Sequence, residues 1–251
     1  MLFGADMTPR KARRKRFLLV ARGGRNTPME GNSTAQSLRR VAASARAAAD
    51  SPWKLANELR RRLALPWVRV LFAVNGISWG RGWRLHGTPI IQKHRRSVIR
   101  FGSGLGLRSW VRSNPLGITH PVILCTWQAG AVIEAGTNFA MSGGTLCAAS
   151  RITIGDNVAI GANTTVVDND FHPLAAQGRR LTPQNGKTAP VTIEDDVFIG
   201  MSCLVLKGVR LGRGCVIGAG SVVTSDVPAG VIAAGNPARP IKRLELVQCA
   251  S

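Results

Sequence analysis

Tyrosine is absent from this chain, and only seven phenylalanines and six tryptophans occur among its 251 residues. A narrow core of Ile, Val, Leu and Ala explains this shortage, because it leaves little room for aromatic rings. The five cysteines are an odd number and form no Cys-x-x-Cys pair. Their spacing therefore argues against a disulfide framework or a zinc site and favours a reducing compartment.

No stretch of the sequence is long and apolar enough to predict a transmembrane helix. The longest apolar run, Trp67 to Val74, is interrupted by Arg69, whereas a span needs roughly 20 residues.

The N-terminal part of the chain contains few acidic residues. Residues 1–100 contain 22 Lys and Arg against four Asp and Glu, and the remainder contains 12 against nine. A basic N-terminal region of this kind suits anionic lipid or glycan, or nucleic acid, and is otherwise a solvated tail.

Aliphatic residues recur at every sixth position in the C-terminal half of the chain. They are Ile154, Ile160, Val166, Ile193, Ile199, Val205, Leu211, Ile217 and Val223. A helix repeats every 3.6 residues and a plain strand every two, so neither explains a period of six. Short strands joined by tight corners do, when each strand directs one aliphatic residue inward. The spacing predicts an all-β fold, a parallel β-helix of hexapeptide repeats, in which Cys203 and Cys215 are core residues.

The sequence divides into four predicted regions. They are a basic disordered arm (1–33), a helical region (34–89), the β-helix (90–228) with a protruding loop (173–190), and a C-terminal tail (229–251) with a helix at Pro240–Val247. In the helical region, one helix is expected from about residue 34 to residue 49. A second follows Pro52, and Pro66 ends or kinks it.

The segment from Trp67 to Trp83 mixes aromatic residues with arginines. Three interpretations are open. The segment is a membrane-interfacial element, a cap that covers the open end of the coil, or both. The third interpretation is that its aromatic rings stack on nucleic-acid bases.

The candidate for chemistry is the segment Asp168 to Pro173, where the repeats stop and the loop begins. His172 can accept a proton from a hydroxyl near neutral pH, and Asp168 or Asp170 could fix its tautomer. A lone histidine is, however, also common as a structural residue. Because no other histidine recurs at coil spacing, the pattern predicts no metal site.

Several stretches of the chain resemble the left-handed β-helix acyltransferases with hexapeptide repeats. They are residues 152–163, 168–173, 199–202, 216–224 and 233–239. The similarity is greatest to the sugar O-acetyltransferases, which include the galactoside, maltose and nodulation-factor enzymes and the capsule and lipopolysaccharide enzymes. This resemblance implies a left-handed coil, a homotrimer with active sites between neighbouring coils, and acetyl-CoA as the co-substrate, with no metal required.

The resemblance also implies roles for individual residues. His172 corresponds to the catalytic base, while Ser142 and Asn169 are candidates for contacts with the acceptor. Acetyl-CoA is expected along the C-terminal coils. Its candidate contacts are Phe198, Gly200, Ala219, Thr224, Arg239, Lys242 and Arg243. Ser225 stands where the family usually has a lysine, which leaves the phosphates to the last three of these residues.

The function expected from the resemblance is acetyl transfer to a sugar or a lipid-linked glycan in cell-surface or exported polysaccharide biosynthesis. The protein is expected in the cytoplasm, peripherally on the inner face of the membrane, and no nucleic acid is expected as a partner. Two alternatives stay open. One is a member of the same superfamily that acts on an antibiotic or an amino-sugar nucleotide. The other is a non-enzymatic β-helix whose basic arm binds nucleic acid or an acidic partner.

Overall fold

The computed structural model describes residues 50–176, 179 and 186–244. The described residues belong to one compact unit, residues 48–251. The predicted arm 1–33 and the predicted helix from residue 34 to 49 lie outside the described residues.

One α-helix, α1 (Pro52–Val74), precedes a long series of short strands. The strands are β1 (Arg84–His86), β2 (Ile90–Lys93), β3 (Val98–Phe101), β4 (Gly106–Arg108), β5 (Ile123–Thr126), β6 (Val132–Ala135), β7 (Ala140–Ser142), β8 (Thr145–Ala148), β9 (Arg151–Ile154), β10 (Ala159–Ile160), β11 (Thr165–Val167), β12 (Val191–Ile193), β13 (Phe198–Ile199), β14 (Leu204–Val205), β15 (Arg210–Leu211), β16 (Val216–Ile217), β17 (Val222–Val223), β18 (Val231–Gly235) and β19 (Ala238–Arg243). A short 3-10 helix, Val111–Ser113, lies between β4 and β5.

Three parallel sheets form the faces of a prism, and each turn of the chain contributes one strand to each face. Sheet A has the order β1-β4-β7-β10-β13-β16-β18-β19, sheet B the order β17-β14-β11-β8-β5-β2, and sheet C the order β15-β12-β9-β6-β3. Each strand therefore pairs with the strand one turn later, which is the pairing of a parallel β-helix. The predicted fold class is confirmed.

The six-residue repeat places one aliphatic side chain inward from every strand. The stacked sets are Ile160, Ile199 and Ile217 on sheet A, Val166, Val205 and Val223 on sheet B, and Ile154, Ile193 and Leu211 on sheet C. All nine are buried, as are Cys203 and Cys215. Burying each such side chain stabilises the fold by roughly 1.5–3 kcal/mol, so the column of aliphatic residues is the main source of stability.

Two insertions interrupt the regular turns. Residues 109–122 leave the coil between sheets A and B, and the chain leaves it again after β11, between sheets B and C. Of the predicted loop 173–190, residues 177, 178 and 180–185 lie outside the described residues. The second insertion begins directly after β11, so it starts from a fixed point at the B/C corner.

Helix α1 and the residues after it close the N-terminal end of the prism. Phe72 is fully buried and contacts Trp79 and Trp83 edge to face, and the Trp83 Nε1 donates a hydrogen bond to the Gly102 carbonyl at 2.8 Å. Aromatic contacts continue from Trp83 through Phe101 to the core. Phe72, Trp79 and Trp83 thus act as a cap, whereas Trp67, at the start of the segment, is exposed.

The structure corrects three of the predicted boundaries. Helix α1 continues through Pro66 to Val74, because burial of Val68 and Phe72 outweighs the loss of about 3 kcal/mol that an internal proline causes. The coil begins at Arg84, not at residue 90, and its parallel pairing continues into β18, beyond residue 228.

The predicted helix at Pro240–Val247 is wrong over its described part. Residues 238–243 form β19, which pairs antiparallel with β18. This strand covers the edge of sheet A that the last turn would otherwise leave open, and such an edge strand tolerates Pro240. Residues 245–251 lie outside the described part of the chain. Within that part, no helix is both long and apolar enough to cross a membrane.

Candidate active site

His172 is exposed at the B/C corner, at the start of the second insertion. Its backbone N–H donates to the Asp170 carbonyl at 2.6 Å, and its ring Nδ1 lies 3.2 Å from the Arg179 carbonyl oxygen. A carbonyl oxygen only accepts, so Nδ1 carries the proton in this contact. The neutral ring therefore presents Nε2 as its acceptor, which is the form that a general base needs.

Arg179 also closes the first part of the loop. Its guanidinium donates to the carbonyls of Pro173 at 3.3 Å and Leu174 at 2.5 Å. These bonds hold the Arg179 backbone near the imidazole. Because the partner of Nδ1 is a backbone atom, no pattern of side chains in the sequence could have revealed it.

Asp168 does not orient the imidazole, contrary to one of the two sequence expectations. Its side chain is fully buried and accepts hydrogen bonds from the backbone N–H groups of Ala149 at 2.7 Å and Ser150 at 2.6 Å. The Asn169 amide donates a third bond at 3.1 Å. The Asp168 carboxylate thus joins two successive turns at the corner from which the loop departs.

Asp170 does not hydrogen-bond the ring either. Its Oδ1 accepts a hydrogen bond from the Lys207 Nζ at 2.7 Å. Its Oδ2 is buried and has no hydrogen-bond partner among the described residues. Neither aspartate therefore orients the His172 ring by a hydrogen bond, and the Arg179 carbonyl sets the tautomer instead.

A groove runs along sheet B to this corner and has a volume of about 540 Å³. We call it the sheet B groove. Its walls are mostly apolar, and its lining includes Ile123, Cys125, Trp127, Cys147, Val167, Asn169, Asp170, Phe171, Leu204 and Leu206. Phe171, the residue before His172, packs edge to face against Trp127, with 6.1 Å between the centroids of the two rings. Trp127 is a site residue that the sequence reasoning missed.

A second groove, the sheet A groove, has a volume of about 300 Å³ and is lined in part by Ser142 and Phe198. Arg84, His86 and Arg108 complete its polar side. Burial, together with the positive charges of Arg108 and Arg61, lowers the pKa of His86 to about 4. His86 is therefore neutral near pH 7. The positive charge of this groove comes from Arg84 and Arg108.

Gly200 and Ala219 lie on successive turns at the A/B corner. A Cβ on Gly200 would come within 2.5 Å of the Ala219 backbone nitrogen. Close stacking of the turns thus requires glycine at position 200 with or without a ligand. Thr224 is exposed at the B/C corner, and Arg239, Lys242 and Arg243 are exposed on β19.

The predicted site residues do not meet within one chain. His172 and Asn169 lie at the B/C corner, while Phe198 lies on sheet A, the face opposite that corner, and Ser142 and Gly200 lie toward the A/B corner. A single protomer therefore separates the candidate base from most of the candidate ligand contacts. Among the residues that the structure describes, no group of three or more His, Cys, Asp and Glu is arranged to hold a metal ion.

Comparison with known proteins agrees with this architecture. A family model described as a hexapeptide repeat of succinyl-transferase matches residues 151–167 and 190–225. A Schizosaccharomyces pombe protein named as an acetyltransferase is 46% identical over 94 residues, which cover 38% of this chain and 44% of that protein. The 2,3,4,5-tetrahydropyridine-2,6-dicarboxylate N-acetyltransferase of Staphylococcus aureus is 42% identical over 96 residues, 38% of this chain and 35% of that protein. This chain thus spans less than half the length of either relative.

A solved structure supports the fold. It is an N-acyltransferase from Bacillus cereus in complex with dTDP and 3-hydroxybutyryl-CoA. The two chains superpose with a TM-score of 0.53 at 20% identity, over 70% of this chain and 88% of that one. The chain therefore contains hexapeptide repeats at residues 151–167 and 190–225, and a stretch of 94 to 96 residues is similar in sequence to proteins named as acetyltransferases.

Proposed function

We propose that this protein is an acetyl-CoA-dependent O-acetyltransferase that acts on a sugar hydroxyl in the biosynthesis of a cell-surface or exported polysaccharide. One observation carries the proposal: an exposed imidazole whose Nδ1 is held by the Arg179 carbonyl, so that Nε2 is left as a base. The similarity to proteins named as acetyltransferases supports the reaction class. The direct test is release of free CoA thiol from acetyl-CoA with a panel of sugars, together with detection of the acetylated product by mass spectrometry.

In the proposed reaction, Nε2 of His172 removes the proton from an acceptor hydroxyl. The oxygen attacks the thioester carbonyl carbon, a C–O bond forms, and collapse of the tetrahedral adduct breaks the C–S bond. The imidazolium returns its proton to the departing thiolate. The products are an acetyl ester and CoA with a free thiol, and His172 is regenerated.

The acyl donor is assigned to the surface from the A/B corner to β19. Phe198 is half exposed and offers a flat apolar surface beside the corner at Gly200 and Ala219. Thr224 and the cations Arg239, Lys242 and Arg243 are exposed on the last turns, where they could bind phosphate groups. Ser142 and Asn169 are assigned to the acceptor.

The proposed assembly is a homotrimer in which each active site combines His172 of one chain with the donor surface of its neighbour. The separation of these residues within one protomer supports it, because the site is incomplete without a second copy. Closed rings of this kind use a head-to-tail interface.

Mixed assemblies test this arrangement. His172→Ala protomers and Phe198→Asp protomers, each with little activity alone, are expected to regain about one quarter of the wild-type activity when unfolded together and refolded as a mixture, since one site in four then has both intact parts. Phe198 is half exposed, so its replacement alters the donor surface and leaves the stacking of the turns intact. Activity would be measured by thiol release. A mixture that stays inactive while both variants form trimers would contradict the shared site, and so would a monomeric mass for the active wild type.

An amine is the alternative acceptor. The Staphylococcus aureus relative is named as an N-acetyltransferase, and a base beside a thioester serves an amine as well as a hydroxyl. Product chemistry separates the two, because mild hydroxide removes an O-acetyl group and leaves an N-acetyl group in place.

Peripheral membrane binding forms the second part of the proposal, with the cytoplasmic leaflet as the site. Helix α1 exposes an apolar stripe on its outer side: Trp53, Leu55, Leu59, Leu63, Trp67, Val70 and Val74, each 49–75% exposed. The helix is about 35 Å long and carries five basic residues against one acidic residue, Glu58. Arginines 61 and 62 pair with Glu58. Leu, Val and Trp on one side and cations on the other are typical of a helix that lies in an anionic lipid surface.

The double substitution Leu59→Asp and Leu63→Asp should lower binding to vesicles of phosphatidylcholine and phosphatidylserine by about tenfold or more, because it places two charges in the apolar stripe. Co-sedimentation would measure the bound fraction. Deletion of residues up to 84 is a poorer test, since it removes Phe72 and Trp83 from the core. A matched control is Val111→Asp with Leu116→Asp, an equally exposed apolar pair outside the helix. Equal binding by both double variants would contradict membrane docking through α1.

A further inference from the structure

Two aromatic side chains at the end of the sheet B groove have no role in the steps above. Trp127 is 47% exposed and Phe171 is 39% exposed, and their rings meet edge to face at 6.1 Å with 78° between their planes. Trp127 follows β5, and Phe171 follows β11 two turns later, so the stacking of the coil brings them to the same corner. Phe171 is the residue immediately before His172.

The chain holds Phe171 in this place at a cost. Its φ angle is +59°, a left-handed conformation that a bulky residue rarely adopts. The Asn169 side chain stabilises it, because its Oδ1 accepts the Phe171 backbone N–H at 2.9 Å. The left-handed turn therefore helps to keep the Phe171 ring against Trp127.

The groove beside these rings combines mostly apolar walls with a few polar groups. Thr145, Thr165 and Gln92 contribute hydroxyl and amide groups to its lining. The Asp170 Oδ2 is itself buried and is not offered to a ligand in the groove.

A pyranose ring has the matching chemistry. The C–H groups on one of its faces are apolar and pack against an aromatic ring, whereas its hydroxyls lie around the edge and need hydrogen-bond partners. A small number of polar groups at the rim of an apolar groove is the usual arrangement of a small-molecule site.

We propose that Trp127 and Phe171 form an aromatic platform that holds one face of a pyranose acceptor and presents one of its hydroxyls to His172. This inference rests on the proposed function and names its acceptor class, a six-membered sugar ring, and Trp127 as the main determinant of acceptor binding.

The test measures binding and turnover separately. Binding of methyl pyranosides with the gluco, galacto and manno configurations would be followed by ligand-detected NMR on the His172→Ala protein, with and without Trp127→Ala. Turnover would be measured in the His172 background for Trp127→Ala and Trp127→Phe. The control is Leu116→Ala, an exposed apolar residue outside both α1 and the sheet B groove.

Trp127→Ala is expected to raise the acceptor KM about tenfold, the value of one aromatic contact, and to leave the acetyl-CoA KM unchanged. Trp127→Phe should recover most of the loss, and Leu116→Ala should have no effect. At least one methyl pyranoside should bind the His172→Ala protein and lose that binding with Trp127→Ala.

Three results would overturn the platform: no pyranoside binds, binding is indifferent to Trp127, or Trp127→Ala changes the oligomer mass, which would mean that a second copy covers the groove. Retained turnover in His172→Ala would instead refute the proposed base. It would leave the platform standing if the binding of a pyranoside still depends on Trp127.

Discussion

His172→Ala is expected to lower kcat by about 10²–10⁴-fold, the usual contribution of a positioned general base. Its imidazole is exposed at the corner of the coil and its Nδ1 is satisfied by the Arg179 carbonyl. Removal of the ring therefore deletes the base without removing any buried contact. The acceptor hydroxyl would then have to lose its proton to water, and the thioester would react only slowly. Stopped-time thiol release at saturating acetyl-CoA and acceptor would give kcat.

The control for this substitution is His94→Ala. His94 is a half-buried histidine on the first turn of the coil, and its Nδ1 accepts the Arg96 backbone N–H at 3.1 Å. Its replacement should leave kcat within about twofold, as expected for a residue away from the site. The thermal unfolding of His172→Ala should match that of the wild type. A full loss of activity in His86→Ala with none in His172→Ala would move the base to the sheet A groove and refute the proposed mechanism.

The sequence was sufficient to predict the coil because its signal is periodic and local. Each inward aliphatic residue contacts the one a turn later, so the period of six is itself the contact pattern, as the stack Ile160, Ile199 and Ile217 shows. The first turns carry an insertion at residues 109–122 and irregular spacing, and for that reason the start at Arg84 was missed. The edge pairing of β19 with β18 depends on the open end of sheet A, which no local pattern records.

The candidate site was predictable only in part. His172 could be singled out because it lies where the period breaks. Its partner could not, since the Arg179 carbonyl belongs to the backbone. Trp127 precedes Phe171 by 44 residues in the sequence, and only the stacking of the turns brings the two rings together. The spacing Asp-x-Asp before a histidine pointed to a carboxylate that orients the ring, but both carboxylates are engaged elsewhere.

Because the Asp168 carboxylate is bonded to the backbone and not to the imidazole, Asp168→Ala is expected to lower the melting temperature more than it lowers kcat. The substitution leaves the buried N–H groups of Ala149 and Ser150 without acceptors, at about 1–3 kcal/mol each. A loss of about 4 kcal/mol would lower the melting temperature by roughly 10 °C in a chain of this size. Differential scanning calorimetry would measure it.

The matched control for the stability effect is Asp226→Ala. Asp226 also accepts one backbone N–H, that of Arg210 at 2.7 Å, but it is exposed, so water can replace the carboxylate. Its loss should cost less than about 1 kcal/mol.

Asp168→Asn separates the structural role from a catalytic one. The amide keeps one acceptor for the two N–H groups and turns an NH₂ group toward the other. The melting temperature should therefore fall by part of the alanine effect, while kcat measured well below the transition should stay close to that of the wild type. If Asp168 instead fixed the imidazole tautomer, Asp168→Asn would melt like the wild type and lose kcat by orders of magnitude. A lower melting temperature with an unchanged kcat would show that the Asp168 carboxylate stabilises the corner. An unchanged melting temperature with a lower kcat would show that it orients the His172 base.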